Sequence, residues 1–437
     1  MGEGVLTASP VADTAALFAD AGLQRRGRSL TLGGVALGAI AESVGTPAYV
    51  YSADAIRARY RALDEAFADA PHRICFAVKA NSNLAVMRVL RDLGAGADIV
   101  SAGELQRALA AGFAPEAIVF SGVGKTREEL RAAVRASVGH VNVESREELE
   151  LLATIAGEEE TDVSVGIRVN PDVTADTHPY ITTGKGGIKF GIPHDQVIDA
   201  ARFIAARERL SLTSLAMHLG SQLTDARPYR EGAERLLGLV AEVRSAGIAT
   251  LDALDIGGGL GIRYADETPL EPATLAAAIV PLLAPTGLTI YVEPGRYLVG
   301  SAGLLLTEVL YRKQSGGKEF VVVDAGMTDL VRPSRYQAYH EIVEVEAAER
   351  PRVTVDVVGP ICETGDFLAL DRALPAVERG ERLAILGAGA YGFVMSSNYN
   401  TRPLPPEVMV DRGRFWVSRP REHVSALFAH ERATDDG

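Results

Sequence analysis

Short runs of β-branched and aromatic residues recur along the first two-thirds of the chain. Each is followed by a polar loop and then by a segment whose apolar positions repeat every three to four residues. Eight runs read as strands: Ile74–Lys79, Ala97–Ser101, Ala117–Gly122, His140–Glu144, Val163–Asn170, Leu212–Leu219, Ala253–Gly257 and Ile290–Glu293. Helical patterns lie between them, such as Leu84–Leu93, Glu104–Ala111 and Arg230–Ala246. In the last, Ala233, Leu236, Leu237, Val240 and Val243 keep the helical period. Strands alternating with helices pair in parallel, because each crossover needs a helix to cover the sheet.

Eight units in about 220 residues predict a closed (β/α)8 barrel, with an open doubly wound sheet as the alternative. Barrel chemistry sits at the C-terminal ends of strands. Those ends read Lys79, Ser101, Gly122, Glu144, Arg168, His218, Gly257 and Glu293, polar or glycine where the apolar interiors stop. After about residue 300 the rhythm gives way to strand-like segments Phe320–Asp324, Val353–Val358, Arg382–Leu386 and Arg414–Val417 with few helices between them. This predicts a second, mainly antiparallel β domain. The expected division is a loosely held extension over 1–25, a barrel over 45–300, and a β domain built from 26–44 with 301–430. The segments Leu30–Leu37 and Ala48–Tyr51 are also strand-like and are candidates to join the β domain. The run Thr182–Gly187, between the fifth and sixth strands, is expected to be a mobile loop near the barrel mouth.

Composition narrows the function classes. The 437 residues suffice for two domains, and 47% apolar with 23% charged residues is an ordinary soluble balance. A net charge of −13 argues against a nucleic-acid partner, which needs clustered Lys and Arg. The two cysteines, Cys75 and Cys362, have neither disulfide-framework nor zinc spacing, so no metal is expected and a reducing compartment fits. The N-terminus carries Glu3, Asp13 and Asp20 rather than an apolar stretch, and no run of about 18 apolar residues occurs. A cytoplasmic protein without a membrane partner is the expectation.

Candidate chemistry gathers at the predicted barrel mouth. Lys79 ends an apolar strand in Phe76-Ala77-Val78-Lys79-Ala80-Asn81, where a desolvated amine loses its proton readily; a Schiff-base lysine and a buried salt bridge both fit. Gly257-Gly258-Gly259 follows the seventh strand, where backbone N–H groups converge on phosphate, although three glycines also make a plain tight turn. Glu293-Pro294-Gly295-Arg296 ends the eighth strand. Its carboxylate suits a protonated pyridine nitrogen and its guanidinium a carboxylate, with a simple Glu–Arg pair as the alternative. His218 ends the sixth strand in Met217-His218-Leu219-Gly220-Ser221. Its ring suits a flat cofactor and Ser221 a phosphate, but only as part of the set. In the second domain Cys362 adjoins Glu363 on a turn. Gly387-Ala388-Gly389-Ala390-Tyr391-Gly392 matches a dinucleotide fingerprint in letters only. Met395-Ser396-Ser397-Asn398-Tyr399-Asn400 follows where a helix should begin and no ~30-residue βαβ unit surrounds it, so that reading is rejected.

Taken in order, Phe76–Asn81, Gly96–Leu105, Thr177–Gly184, His218–Gln222, Gly257–Gly259, Glu293–Arg296, Asp324–Ile342, Gly359–Asp366 and Gly387–Gly392 resemble the fold-type III pyridoxal-phosphate decarboxylases. The diaminopimelate decarboxylase branch is the nearest in look, over about residues 45–420. The resemblance implies an alanine-racemase-like pairing of a barrel with a β domain, and decarboxylation of meso-2,6-diaminopimelate to L-lysine. It also implies roles for the matching residues. Lys79 would carry pyridoxal 5′-phosphate as a Schiff base, His218 would stack on its ring, and Glu293 would pair with its nitrogen. Ser221, Gly257, Gly258, Gly259, Gly295 and Arg296 would cradle the phosphate side. Arg296, Arg332, Tyr336, Glu363 and Tyr391 would hold the substrate, with Tyr391 also reaching the cofactor. Cys362 would donate a proton from the neighbouring subunit of a homodimer with shared sites. Alternatives are a decarboxylase or epimerase of a related diamino acid in secondary metabolism, a catalytically silent homologue, or a dinucleotide oxidoreductase.

Overall fold

The computed structural model describes residues 22–173 and 189–431, so Thr177–Gly184 and the loop expected at Thr182–Gly187 lie outside the described residues. The chain divides into two compact units, one of residues 56–300 and one of residues 1–55 with 301–437.

The first unit is an eight-stranded parallel barrel. In chain order its strands are His72–Ala77, Gly96–Ile99, Ile118–Phe120, His140–Val143, Val163–Asn170, Leu210–Ala216, Ala253–Asp255 and Thr289–Val292. Each pairs in parallel with the next, and the eighth closes on the first through Ile290, Tyr291 and Val292 against His72, Arg73 and Ile74. The open-sheet alternative is therefore excluded. The strands read as continuous apolar runs because a barrel strand is covered on both faces, by the interior and by the helices. Three of the loops at the mouth end on a hydroxyl that caps the next helix. Ser101 starts Ala102–Ala111, Thr126 starts Arg127–Ala136 in a capping box with Glu129, and Ser145 starts Arg146–Glu158. Every strand but the fifth stops one to three residues short of its expected end. The first strand stops at Ala77, and Lys79 sits in a single 3-10 turn, Val78–Ala80, that carries it over the barrel mouth.

Alternate barrel strands contribute to one interior layer. His140 on the fourth strand lies 3.0 Å from Thr213 Oγ1 on the sixth and 3.3 Å from Tyr291 OH on the eighth. Burial, helped by Arg73, holds this imidazole down at about 4 from an ordinary 6.5. A histidine kept neutral in the fold stabilises it above the unfolded pKa, and that stability is lost as pH falls toward the folded one. Between pH 6.5 and 4 the wild type should therefore lose up to about 3 kcal/mol more stability than His140→Gln, at 1.36 kcal/mol per pKa unit. Parallel pH profiles of urea unfolding for the two proteins would show that His140 is not the titrating group.

The second unit is mainly antiparallel, as its turn-rich sequence predicts. One nine-stranded sheet runs in the order Phe367–Pro375, Arg352–Val358, Lys318–Val323, Gly303–Ser315, Ala48–Ser52, Glu407–Asp411, Arg414–Arg419; Arg382–Ile385 also pairs with Gly303–Ser315, and Ile342–Glu344 pairs with Arg382–Ile385. Two pairs, Lys318–Val323 with Arg352–Val358 and Ala48–Ser52 with Glu407–Asp411, are parallel. Ala48–Ser52 lies between Gly303–Ser315 and Glu407–Asp411, all five of its residues buried. The boundary before the barrel thus falls at residue 55/56 rather than at 45. Within the expected loose extension, Leu23–Arg26 is an ordered strand paired with Ser29–Leu32, because Leu23 and Leu32 meet in register and are buried. The strand-like reading of Leu30–Leu37 also ends early: a helix, Leu37–Val44, begins at its last residue. No described helix is long and apolar enough to cross a membrane.

Candidate active site

At the barrel mouth the 3-10 turn after the first strand brings Lys79 Nζ within 2.6 Å of Asp98 Oδ2 on the second strand. Asp98 is fully buried, whereas a third of the Lys79 side chain remains exposed. The amine is therefore both paired, as one reading of the sequence required, and accessible to a ligand, as the other required. It lines a cavity of about 420 Å3 together with Arg168, Phe190, Met217, His218 and Glu293.

His218 and Glu293 are set by the glycine turn after the seventh strand. The Gly258 N–H donates to His218 Nδ1 at 3.1 Å, which leaves the proton of a neutral ring on Nε2. Burial, with the positive charges of Lys79 and Arg168, pushes this imidazole well below its ordinary range, so it stays uncharged. The turn has to be glycine. A Cβ at Gly257 would lie 2.4 Å from the Met217 carbonyl oxygen, and one at Gly258 would lie 2.1 Å from that of Glu293. Gly259, at φ +107°, would meet the Gly220 carbonyl oxygen at 2.5 Å. The backbone can pass this close to two neighbouring strands only without side chains.

Glu293 directly follows the eighth strand, buried, and its Oε1 has no hydrogen-bond partner. Burial pushes its carboxyl well above the usual range, and repulsion from Asp255 and Asp98 adds to the effect. Asp255 Oδ1 accepts the Gly257 N–H at 2.8 Å; burial raises this carboxyl too, to about 6. Three buried carboxyl groups thus lie close together near one lysine, with only Glu293 of the three lining the cavity, an arrangement that attracts a proton or a protonated base.

Arg296 opens the turn after Glu293 and is buried. Its Nη1 donates to Tyr264 OH at 2.6 Å and its Nη2 to Ser221 Oγ at 2.9 Å. Lys79, His218, Ser221, Gly257, Gly258, Gly259, Glu293, Gly295 and Arg296 therefore all belong to the barrel mouth, as predicted. Sequence reasoning missed Asp98 and Tyr264. Asp98 did leave a signal, a single carboxylate inside the apolar run Gly96-Ala97-Asp98-Ile99-Val100.

The remaining candidates lie in the β unit. Arg332 is buried, with Nη1 2.8 Å from His340 Nε2, while His340 Nδ1 faces the Leu386 carbonyl oxygen at 2.8 Å. Imidazole donation from Nδ1 leaves Nε2 to accept from the guanidinium, so His340 orients Arg332. Tyr336 lies one helical turn on, its hydroxyl accepting from Arg335 Nε at 3.2 Å. Cys362 and Glu363 are exposed on a loop pinned by Asp366, whose carboxylate accepts the N–H groups of Met327 at 2.6 Å and Ile361 at 2.7 Å. Ser334 Oγ donates to the Gly365 carbonyl at 2.6 Å and ties this loop to the Arg332 helix. Tyr391 adopts φ +54° within the glycine-rich turn. Only a 3-10 turn, Phe393–Met395, follows, and the preceding strand Arg382–Ile385 is antiparallel to its neighbours, so the turn opens no dinucleotide-binding unit.

Comparison with known proteins agrees with this geometry. The family described as "Pyridoxal-dependent decarboxylase, pyridoxal binding domain" matches residues 53–300. The diaminopimelate decarboxylase of Aquifex aeolicus is 49% identical over 407 residues, 93% of this chain and 96% of its own length. That of Pseudomonas aeruginosa is 51% identical over 398 residues, 91% and 95% of the two chains. Among solved structures, diaminopimelate decarboxylase from Helicobacter pylori complexed with L-lysine matches with a TM-score of 0.87 at 39% identity, covering 90% of this chain and 98% of that one. The enzyme from M. jannaschii matches with a TM-score of 0.91 at 34% identity, covering 95% and 99%.

Proposed function

The chain belongs to the pyridoxal-dependent decarboxylases and, within them, to the diaminopimelate decarboxylase family, and from that premise we propose that it converts meso-2,6-diaminopimelate to L-lysine and carbon dioxide, the last step of lysine biosynthesis. The observation that carries this reading is the unpartnered Oε1 of Glu293 on a cavity that also holds Lys79 and the neutral ring of His218. A basic ring nitrogen placed against Glu293 would satisfy that oxygen and relieve the repulsion among Glu293, Asp255 and Asp98. The residues present fit pyridoxal 5′-phosphate, which is the cofactor of the family. When bound, this cofactor supplies an electron sink for the pair left at Cα as the carboxyl group departs.

The roles proposed for the chain's own residues are those that the family resemblance implies, supported within the barrel by the geometry of its mouth. Lys79 would hold the cofactor through Nζ, and Asp98, 2.6 Å away, would keep that nitrogen in place and favour its protonated form. Glu293 enters with its carboxyl raised and holds a proton at the ring nitrogen. His218 would offer the cofactor an uncharged ring, its orientation fixed by the Gly258 N–H. Ser221, Gly257, Gly258, Gly259, Gly295 and Arg296 hold the phosphate side, with Tyr264 orienting Arg296. Arg296, Arg332 and Tyr336 bind the substrate's carboxylates, and Glu363 with Tyr391 its distal ammonium. Tyr391 also contacts the cofactor. An amino acid without a distal carboxylate would offer these guanidinium groups no anion, which is the proposed basis for excluding ornithine.

Cys362 would return a proton to Cα from the partner subunit of a homodimer, so that each site draws on two chains, and the enzyme would work in the cytoplasm. The purified protein is expected to be yellow, and borohydride reduction should fix one pyridoxyl group on the peptide that contains Lys79. Peptide mapping that puts the label on another lysine would sink the assignment.

A further inference from the structure

A second lysine of the barrel is more deeply buried than Lys79 and takes no part in the chemistry above. Lys125 closes the loop after the third strand, and none of its side chain is exposed. Its Nζ donates to the carbonyl oxygens of Gly122 at 2.6 Å and Asn142 at 2.8 Å and lies 2.7 Å from Glu148 Oε1. The other oxygen of Glu148 accepts the Glu144 N–H at 3.0 Å. Glu144 in turn accepts from the Gly122 N–H at 3.0 Å and from Arg168 Nη1 at 2.9 Å, both on Oε1, and from the Gly191 N–H at 3.1 Å on Oε2. The four side chains connect the loops after the third and fourth strands to the end of the fifth. Gly122, Val123, Gly124, Arg168 and Phe190 line the cavity, whereas Lys125 and Glu148 do not reach it.

Burying an ammonium group is costly unless every donor is used, and here the partners are two backbone carbonyls and one carboxylate. Those partners fix the path of Gly122–Lys125, in which Gly122 adopts φ +112°. We propose that Lys125 and Glu148 are positioning residues: they hold the Gly122–Gly124 wall and, through Glu144, the Arg168 guanidinium in the arrangement that admits pyridoxal phosphate. This rests on the cavity being the pyridoxal phosphate site.

The test compares the wild-type holoenzyme with Lys125→Met, Glu148→Gln and the double variant Lys125→Met/Glu148→Leu. The readouts are the dissociation constant for pyridoxal phosphate, the visible circular dichroism of the bound cofactor, and the melting temperature. Lys125→Met leaves Glu148 buried without its cation and should melt earlier and bind the cofactor ~10- to 100-fold more weakly, the scale of lost charge-assisted hydrogen bonds. The double variant removes the stranded charge and should regain most of the melting temperature. Its cofactor affinity should stay at least ~10-fold weak and its dichroic band altered, because the Gly122 and Asn142 carbonyls still lack their donor. Wild-type affinity and dichroism in a double variant of restored stability would make the pair merely structural and overturn the proposal. So would unchanged cofactor affinity in every variant that folds. A wild type that takes up no pyridoxal phosphate would instead overturn the cofactor reading, and this inference with it.

Discussion

Glu293→Gln is expected to slow decarboxylation at least ~100-fold, the scale of a lost electrostatic contact that matters most in the transition state. Glutamine keeps the size and one acceptor oxygen of the side chain, so most cofactor affinity should survive. What it loses is the capacity to balance a positive charge on the ring nitrogen. Asp255 is poorly placed to substitute, since its Oδ1 is engaged by the Gly257 N–H at 2.8 Å. Cofactor affinity and turnover should therefore separate in this variant. Near-normal turnover at saturating diaminopimelate would show that the electron sink does not depend on this carboxylate.

The second large effect concerns Cys362. As homodimers, Lys79→Ala and Cys362→Ala should each be nearly inactive. Mixed and allowed to exchange subunits, they should form hybrids in which one of the two sites retains both residues. Random exchange makes half of the dimers hybrid, so activity should recover to about a quarter of wild type, given a two-fold symmetric interface. The exposure of Cys362 on its own chain suits a thiol that acts on a partner's site. Verified exchange with no recovery would mean that the thiol serves its own chain or takes no part in the reaction.

Much of the barrel was legible in the chain because its physics is local. A strand such as Ile118–Phe120 is apolar throughout because both faces are covered, and Ser101, Thr126 and Ser145 mark helix starts through their own hydroxyls. Lys79, Glu293 and the three glycines stood out as polar or flexible residues where apolar runs stop. What could not be read depends on partners distant in the chain. Ala48–Tyr51 reads as a strand that could join the β unit, and only its pairing with Leu304 and Val408, more than two hundred residues away, decides that it does. Gly303–Ser315 begins as the apolar Gly-Leu-Leu-Leu and ends as Arg-Lys-Gln-Ser, so its exposed half reads as loop although it pairs with Lys318–Val323.

The same limit applies within the site. Asp98 is one carboxylate in an apolar strand until the barrel sets the first two strands side by side and brings Lys79 to it. Tyr264 lacks a periodic or motif signal of its own and gains meaning only from the hydroxyl it offers Arg296 across 32 residues. Lys125 reads as a surface cation beside a helix cap, and only the fold turns its side chain inward. Residues whose roles depend on chain-distant neighbours are legible only in three dimensions.

Carbon dioxide release from meso-2,6-diaminopimelate by the purified holoenzyme is the decisive measurement, with L-lysine identified as the product and ornithine, arginine and lysine supplied as competing substrates. One carbon dioxide and one L-lysine are expected per diaminopimelate consumed, with negligible release from the other three amino acids. Comparable or faster release from ornithine, arginine or lysine, or none from diaminopimelate by a protein that carries its cofactor on Lys79, would contradict the proposed function.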